Sequence, residues 1–145
     1  MLRNSSFILT LFSVTIIFSI SGCSDKLDAD ALSGRFQGQF IYVTGSDTKT
    51  GQAEVSFSGN TFAASGNSNR IPAGGSGKFE TLKDDLLLFS DKNVWTADFD
   101  WNLILNGKYK YQIKQDSLIL TRYIEPCINC STVYSLYQYK LKRTN

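Results

Sequence analysis

The segment from residue 103 to residue 113 most constrains what this chain can fold into. Leu103, Leu105, Gly107, Tyr109, Tyr111 and Ile113 alternate with Asn102, Asn106, Lys108, Lys110, Gln112 and Lys114, and Ile104 is the single exception on the polar side. In a helix Tyr109 and Tyr111 would face apart, whereas in a strand residues two apart share a face. The pair Gln115-Asp116 then turns the chain. Pairing Lys114 with Ser117 puts Leu118, Leu120, Arg122 and Ile124 on the buried side.

The same period recurs upstream. In Gly34 to Thr44, Phe36, Gly38, Phe40 and Tyr42 share one face. A turn-rich stretch from Gly45 to Gly51 follows, after which Ala53, Val55 and Phe57 alternate with polar neighbours. Gly59-Asn60 is a two-residue hairpin signal that sets Phe57 against Phe62 on one side. Gly66 to Gly77 reads as a loop, Gly77 to Leu82 as a strand, Lys83-Asp84-Asp85 as a turn and Leu86 to Phe89 as the returning strand. Ser90 to Asn102 is the longest irregular connection, holding Trp95 and Trp101 and room for one helical turn near Thr96 to Asp100. The loop Glu125 to Ser131 leads to a last strand, Thr132 to Arg143. The expectation is an all-β chain, an eight-stranded antiparallel up-and-down barrel that closes to remove its edges. A barrel of that size has room inside for side chains or one small ligand.

The N-terminus is of another kind. Arg3 is the only charged side chain before an apolar run from Phe7 to Ile20, and Ser21-Gly22-Cys23 closes it. The run is short of the about 20 apolar residues a span needs, and it fits a secretory h-region. Small residues followed by cysteine at that position read as a bacterial lipoprotein signal. Residues 1–22 are expected to be removed, and Cys23 to carry acyl chains that anchor the protein to a membrane. Residues 23–33 then form a polar tether, whose Asp25 resembles retention or surface-export signals of Gram-negative lipoproteins or is simply solvated. Residues 34–145 form the barrel. The expected location is the bacterial cell envelope, as an outer-membrane lipoprotein facing the periplasm or the surface.

Composition excludes several classes of function. The chain has 15 basic and 13 acidic residues and no histidine. Loss of Arg3 leaves 14 basic against 13 acidic, a balance that argues against a nucleic-acid partner. Without histidine there is no imidazole catalysis and no His-ligated zinc.

The opening GRFQG, the stretch WTADFDWNLILNGKYKY from Trp95 to Tyr111 and the closing YQYKLKR resemble the small calycin-like, or lipocalin-like, lipoproteins of Gram-negative bacteria. The resemblance covers about Gly34 to Arg143. It implies an eight-stranded up-and-down barrel, in a family often of unassigned function. Classical lipocalins open with Gly-X-Trp, whose indole packs near a basic residue of the last strand. Phe36 stands in the place of that Trp, with Lys142 or Arg143 as the partner implied.

Few residues suggest chemistry. Cys127-Ile128-Asn129-Cys130 joins two strands, so it lacks the helix N-terminus that activates a redox CxxC. In an oxidising envelope Cys127 and Cys130 read as a disulfide closing a small loop. Asp98 and Asp100 offer two carboxylates, short of what calcium wants. They read as turn and cap residues, with Trp95, Phe99 and Trp101 closing one barrel end. Phe36, Phe40, Tyr42, Phe57, Phe62, Tyr109 and Tyr111 form an inner aromatic set that either lines a pocket or fills the core. Arg122 points inward near Tyr109, toward a ligand carboxylate, the tyrosines or the water at the rim. With no nucleophile–base pair, phosphate loop, metal or cofactor implied, the expectation is a non-enzymatic lipoprotein whose barrel binds a small hydrophobic ligand. The alternative is a filled-core barrel acting as a protein-interaction or protease-inhibitor-like module on an envelope partner.

Overall fold

The structure, a computed structural model, describes residues 29–126 and 134–144. Cys23, Cys127 and Cys130 lie outside these residues. A single helical turn, α1 (Ala29–Leu32), leads into eight strands: β1 (Gly34–Thr44), β2 (Asp47–Ser58), β3 (Thr61–Ala64), β4 (Gly75–Thr81), β5 (Leu86–Asp91), β6 (Gly107–Lys114), β7 (Ser117–Arg122) and β8 (Ser135–Thr144). Each strand pairs antiparallel with its neighbour in sequence, and β1 pairs with β8 to close the barrel. Closure satisfies every strand edge, which an open meander of these short strands could not do.

The period-two pattern sets the register. Phe57 lies opposite Phe62, Tyr111 opposite Leu120, and Lys114 opposite Ser117, so the hairpin turns fall at Gly59-Asn60 and Gln115-Asp116. Gly59 takes a left-handed φ of 55°, the conformation for which glycine is suited. Inward residues meet along the axis: Phe36, Phe40, Val55, Leu87, Leu105, Tyr109, Leu118, Leu120 and Tyr139 are fully buried.

The chain departs from the sequence expectation in several places. The turn expected over Gly45 to Gly51 is only Gly45-Ser46, and β2 starts at Asp47 because Thr48 to Gly51 pair with Phe40 to Val43 of β1. These residues are polar yet rich in β-branched threonine, which suits a strand. The strand expected from Leu103 begins only at Gly107. Trp101–Leu103 is a 3-10 turn, and Leu103, Ile104 and Leu105 are all buried, which accounts for Ile104 on the supposed polar side. This segment is a plug, not a strand. The helical turn expected at Thr96 to Asp100 gives way to that 3-10 turn. Ile124, expected inside, is exposed because β7 ends at Arg122. The last strand begins at Ser135.

The two ends of the barrel are closed differently. At one end Leu32 of α1 is buried under the strands, and the Arg143 guanidinium lies 4.5 Å over the Phe36 ring. Arg143 also donates to the carbonyls of Ala31, at 2.7 Å, and Ser33. Of the two basic partners considered for Phe36, Arg143 is the one in place. At the other end two long connections bind each other. Ala73 donates to the Leu103 carbonyl at 3.0 Å, Leu105 to that of Gly74 at 2.9 Å, and Gly74 bridges Ile104 in parallel. Pro72, Leu103, Ile104 and Leu105 are thereby buried over the barrel mouth.

Candidate functional site

Phe36, Phe40, Phe57, Phe62 and Tyr109 of the inner aromatic set are linked ring to ring through Phe89 and Tyr139. Phe57 meets Phe36 edge-on at 5.9 Å and Phe79 at 5.2 Å. Phe89 meets Phe62 at 5.0 Å and Tyr109 at 5.5 Å, and lies 6.3 Å from Phe57. Tyr109 reaches Tyr139 at 6.2 Å, and Tyr139 reaches Phe40 at 4.7 Å. Edge-to-face contacts, together with the tilted Phe57–Phe89 and Phe40–Tyr139 pairs, at these separations are usual among packed aromatic rings. Phe36, Phe40, Phe57, Phe62, Tyr109 and Tyr111, named above as a pocket or a core, all lie in the buried apolar cluster. Tyr42 sits apart. It stacks on Tyr137 at 5.0 Å near the mouth.

Arg122 stands at the same mouth, opposite Tyr109 in the register. Its Nη1 donates to the Asn106 carbonyl at 2.8 Å and, more weakly, to Tyr109 Oη at 3.4 Å. The guanidinium lies 5.8 Å from the Tyr109 ring and 6.0 Å from that of Tyr137. Contact with the mouth tyrosines, one of the roles considered for Arg122, is thus present. Burial pushes the phenols of Tyr109 and Tyr139 up, with Arg122 offsetting the effect in part. Tyr139 Oη has no partner among the described residues.

A cleft of about 430 Å³ opens beside this mouth, between the two long connections and the β1–β2 hairpin. Tyr42, Lys49, Ser68, Asn69, Arg70, Ile71, Asp98, Phe99, Asp100 and Leu103 line it. The loop carrying Arg70 is wound on Asn67, whose side-chain oxygen accepts from the backbone N–H of Asn69 and of Ile71. That winding holds Arg70 at a left-handed φ of 54°. Arg70 donates to Asp98 at 2.7 Å and lies 4.6 Å over Phe99. Gly51 makes the close approach of this loop possible, because a Cβ there would stand 1.6 Å from the Ile71 carbonyl oxygen.

The carboxylates of the cleft are occupied by protein donors. A hydrogen bond from Thr96, and then one from Arg70, holds the Asp98 carboxyl down at about 2. Asp100 caps the 3-10 turn by accepting from Asn102 N at 2.9 Å, and accepts from Tyr137 Oη at 2.9 Å. Burial first, and the Asp100 carboxylate second, push the Tyr137 phenol up. Asp98 and Asp100 thus serve as turn and cap residues. Of the three aromatics expected to close this end, Phe99 packs against the core and Trp95 on Phe99 at 5.8 Å, while Trp101 is exposed.

Sequence reasoning missed Asp91. Its two oxygens accept from Ser76 N, Asn93 N and Trp95 Nε1, which ties β4 to the start of the β5–β6 connection. No motif marks it, since its partners come from a neighbouring strand and from two and four residues ahead. Lys49 was also missed. It faces the mouth because it lies opposite Tyr42.

The exposed large hydrophobics share this end. Val94 and Trp101 lie on the β5–β6 connection, and Ile124 and Tyr134 lie on the β7–β8 connection. No family model, no curated protein and no solved structure matches the chain. Among the described residues no helix is long and apolar enough to cross a membrane.

Proposed function

We propose that this chain is a non-enzymatic, calycin-like lipoprotein of the bacterial cell envelope, anchored in the outer membrane through acyl chains on Cys23 after removal of residues 1–22. In this reading the barrel is a protein-interaction module of the filled-core kind and works from its loop end. The observation that carries the choice over a carrier of small hydrophobic molecules is the packing of Phe57, Phe89, Tyr109 and Tyr139 across the interior. A carrier needs an apolar cavity of about 300 Å³ or more, and ring contacts across the interior weigh against one. The placement of Phe36 under Arg143 supports the calycin-like reading. Val94, Trp101, Ile124 and Tyr134 support a working surface at the end opposite α1, since all four exposed large hydrophobics among the described residues lie on the connections of that end. A small-ligand reading is favoured by one observation only, the cleft of about 430 Å³, and its charged lining suits a polar compound.

Site-specific photo-crosslinking in the native envelope tests the reading. A benzophenone side chain at Val94 or Ile124 should capture one discrete envelope protein, and the reciprocal crosslink from that protein should return this chain. The same group at Gln115, at the α1 end, should capture none. Equal products from both ends would remove the loop end as the working surface.

A further inference from the structure

The near-neutral balance of the mature chain conceals a segregation that only the barrel closure brings out. Strands β6, β7, β8 and β1 are neighbours around the wall, and their sequences contain no Asp or Glu. They carry Arg35, Lys108, Lys110, Lys114, Arg122, Lys140, Lys142 and Arg143. The acidic strand residues, Asp47, Glu54, Glu80 and Asp91, all lie on the other half. Four of the eight basic groups are committed. Lys108 pairs with Glu125 at 2.7 Å and Arg35 with Glu54 at 3.3 Å, Arg122 holds the mouth and Arg143 holds α1.

The remaining four, Lys110, Lys114, Lys140 and Lys142, are exposed and have no carboxylate partner among the described residues. They alternate with the buried Tyr109, Tyr111, Tyr139 and Leu141, so they point outward. The register fixes their layout. Lys114 and Lys142 flank Ser117 across three strands, and Lys140 lies one row on, beside Ile119 and Gln39. With strands about 4.8 Å apart, Lys114 and Lys142 stand about 10 Å from each other. Asp116, in the β6–β7 turn, is the acid nearest along the chain.

The wall also contains the strand by which the chain enters the barrel, β1, just after α1. Ala29 follows Cys23 by six residues, a reach of about 20 Å at most. A bilayer holding acyl chains on Cys23 would therefore stand close to this wall. We propose that the outer face of β6, β7, β8 and β1 lies against a bilayer of anionic phospholipid, with Lys114, Lys140 and Lys142 on lipid phosphates. This rests on the tethered reading above and adds the orientation of the barrel: leaning on its basic wall, with its loop end free. A lipid anchor combined with basic residues is the two-signal arrangement that gives stable attachment.

The test uses the chain from Ser24 onward, free of acyl groups, since the buried core lies between Leu32 and Leu141. Sedimentation is measured with phosphatidylcholine vesicles, with and without phosphatidylglycerol, at low and high salt. Binding is expected only with phosphatidylglycerol and is expected to fall as salt rises. Each lysine at such a surface is worth roughly fivefold in partitioning. Lys114→Gln, Lys140→Gln and Lys142→Gln together should weaken binding at least about tenfold. The matched triple Lys78→Gln, Lys83→Gln and Lys92→Gln, on the rest of the surface, should leave it within about twofold, the loss of like charge away from the contact being screened. No binding to phosphatidylglycerol vesicles, or equal losses in the two triples, would overturn the proposal. So would tighter binding to heparin or duplex DNA than to the vesicles. Vesicle binding together with an absence of acyl label on Cys23 in cells would count against the tether and leave the wall standing.

Discussion

The two ends of this barrel are closed by different means, and the difference separates what holds the fold from what the fold presents. At the α1 end closure is local and economical: one leucine enters, and one arginine covers Phe36 while binding two carbonyls. At the loop end two connections far apart in sequence cross-bond and bury Leu103, Ile104 and Leu105, and above that plug the surface is charged and apolar by turns. The first end is finished by its own side chains. The second keeps Trp101, Val94, Ile124 and Tyr134 in water and leaves a cleft beside them.

The comparison is broken most severely from the interior the two ends share. Phe89→Ala removes the ring that touches Phe57, Phe62, Phe79 and Tyr109, and should cost about 3–5 kcal/mol in urea denaturation. A loss near 1 kcal/mol would mean an interior loose enough to host a ligand. At the α1 end, Leu32→Ala should cost about 2–4 kcal/mol. Arg143→Ala should cost about 1–3 kcal/mol through its charged hydrogen bonds. Both should expose α1 to protease while leaving the NMR shifts of the loop-end residues in place. At the loop end, Gly51→Ala should cost about 1–3 kcal/mol by forcing the Ile71 loop outward, and the shifts of Arg70 and Phe99 should move with it.

Tyr139 and Tyr109 divide the core along the same line. Tyr139→Phe removes a buried hydroxyl without a partner among the described residues, so it should be neutral or stabilising by up to about 1 kcal/mol. Tyr109→Phe strips the hydroxyl that meets Arg122 and Ile104 and should be mildly destabilising. Equal effects would show that the mouth network contributes nothing.

The smallest effect concerns Asp98. Its carboxyl is held at about 2 by Thr96 and Arg70, so its stabilising share is complete above the ordinary value of 3.8 and lost as pH falls through 2. The group is solvent-exposed, so the clean readout is its own titration by NMR. Arg70→Gln should move the midpoint up toward 3.8, and an unchanged midpoint would dissolve the pair.

Much of this architecture is legible in the sequence, and the limits have physical causes. Period two gives the face of each strand, and the Gly59-Asn60 and Gln115-Asp116 turns give the registers of two hairpins. Period two does not tell a strand from a plug, which is why Leu103 and Leu105 read as strand although Ile104 contradicts them. Only the bonds to Ala73 and Gly74, from another loop, decide it. The face of Phe36 and Phe57 was readable, but whether rings meet across a barrel depends on its diameter and on every facing side chain. Lys142 or Arg143 was implied as a partner of Phe36 only by the lipocalin resemblance, and it is the β1–β8 register, with Phe36 opposite Arg143, that picks between them. Asp91 and Lys49 carried no sequence mark, since their roles depend on cross-strand neighbours. The basic wall was hidden for the same reason: β1 and β8 lie at opposite ends of the chain, and the composition averages them with the acidic half.

Native mass spectrometry of the protein released gently from the cells that make it tests the central claim, that the interior is a core, most directly. The account predicts the mass of the chain with its covalent groups and no bound small molecule. A stoichiometric non-covalent apolar adduct, retained by the native chain and lost on unfolding, would contradict it.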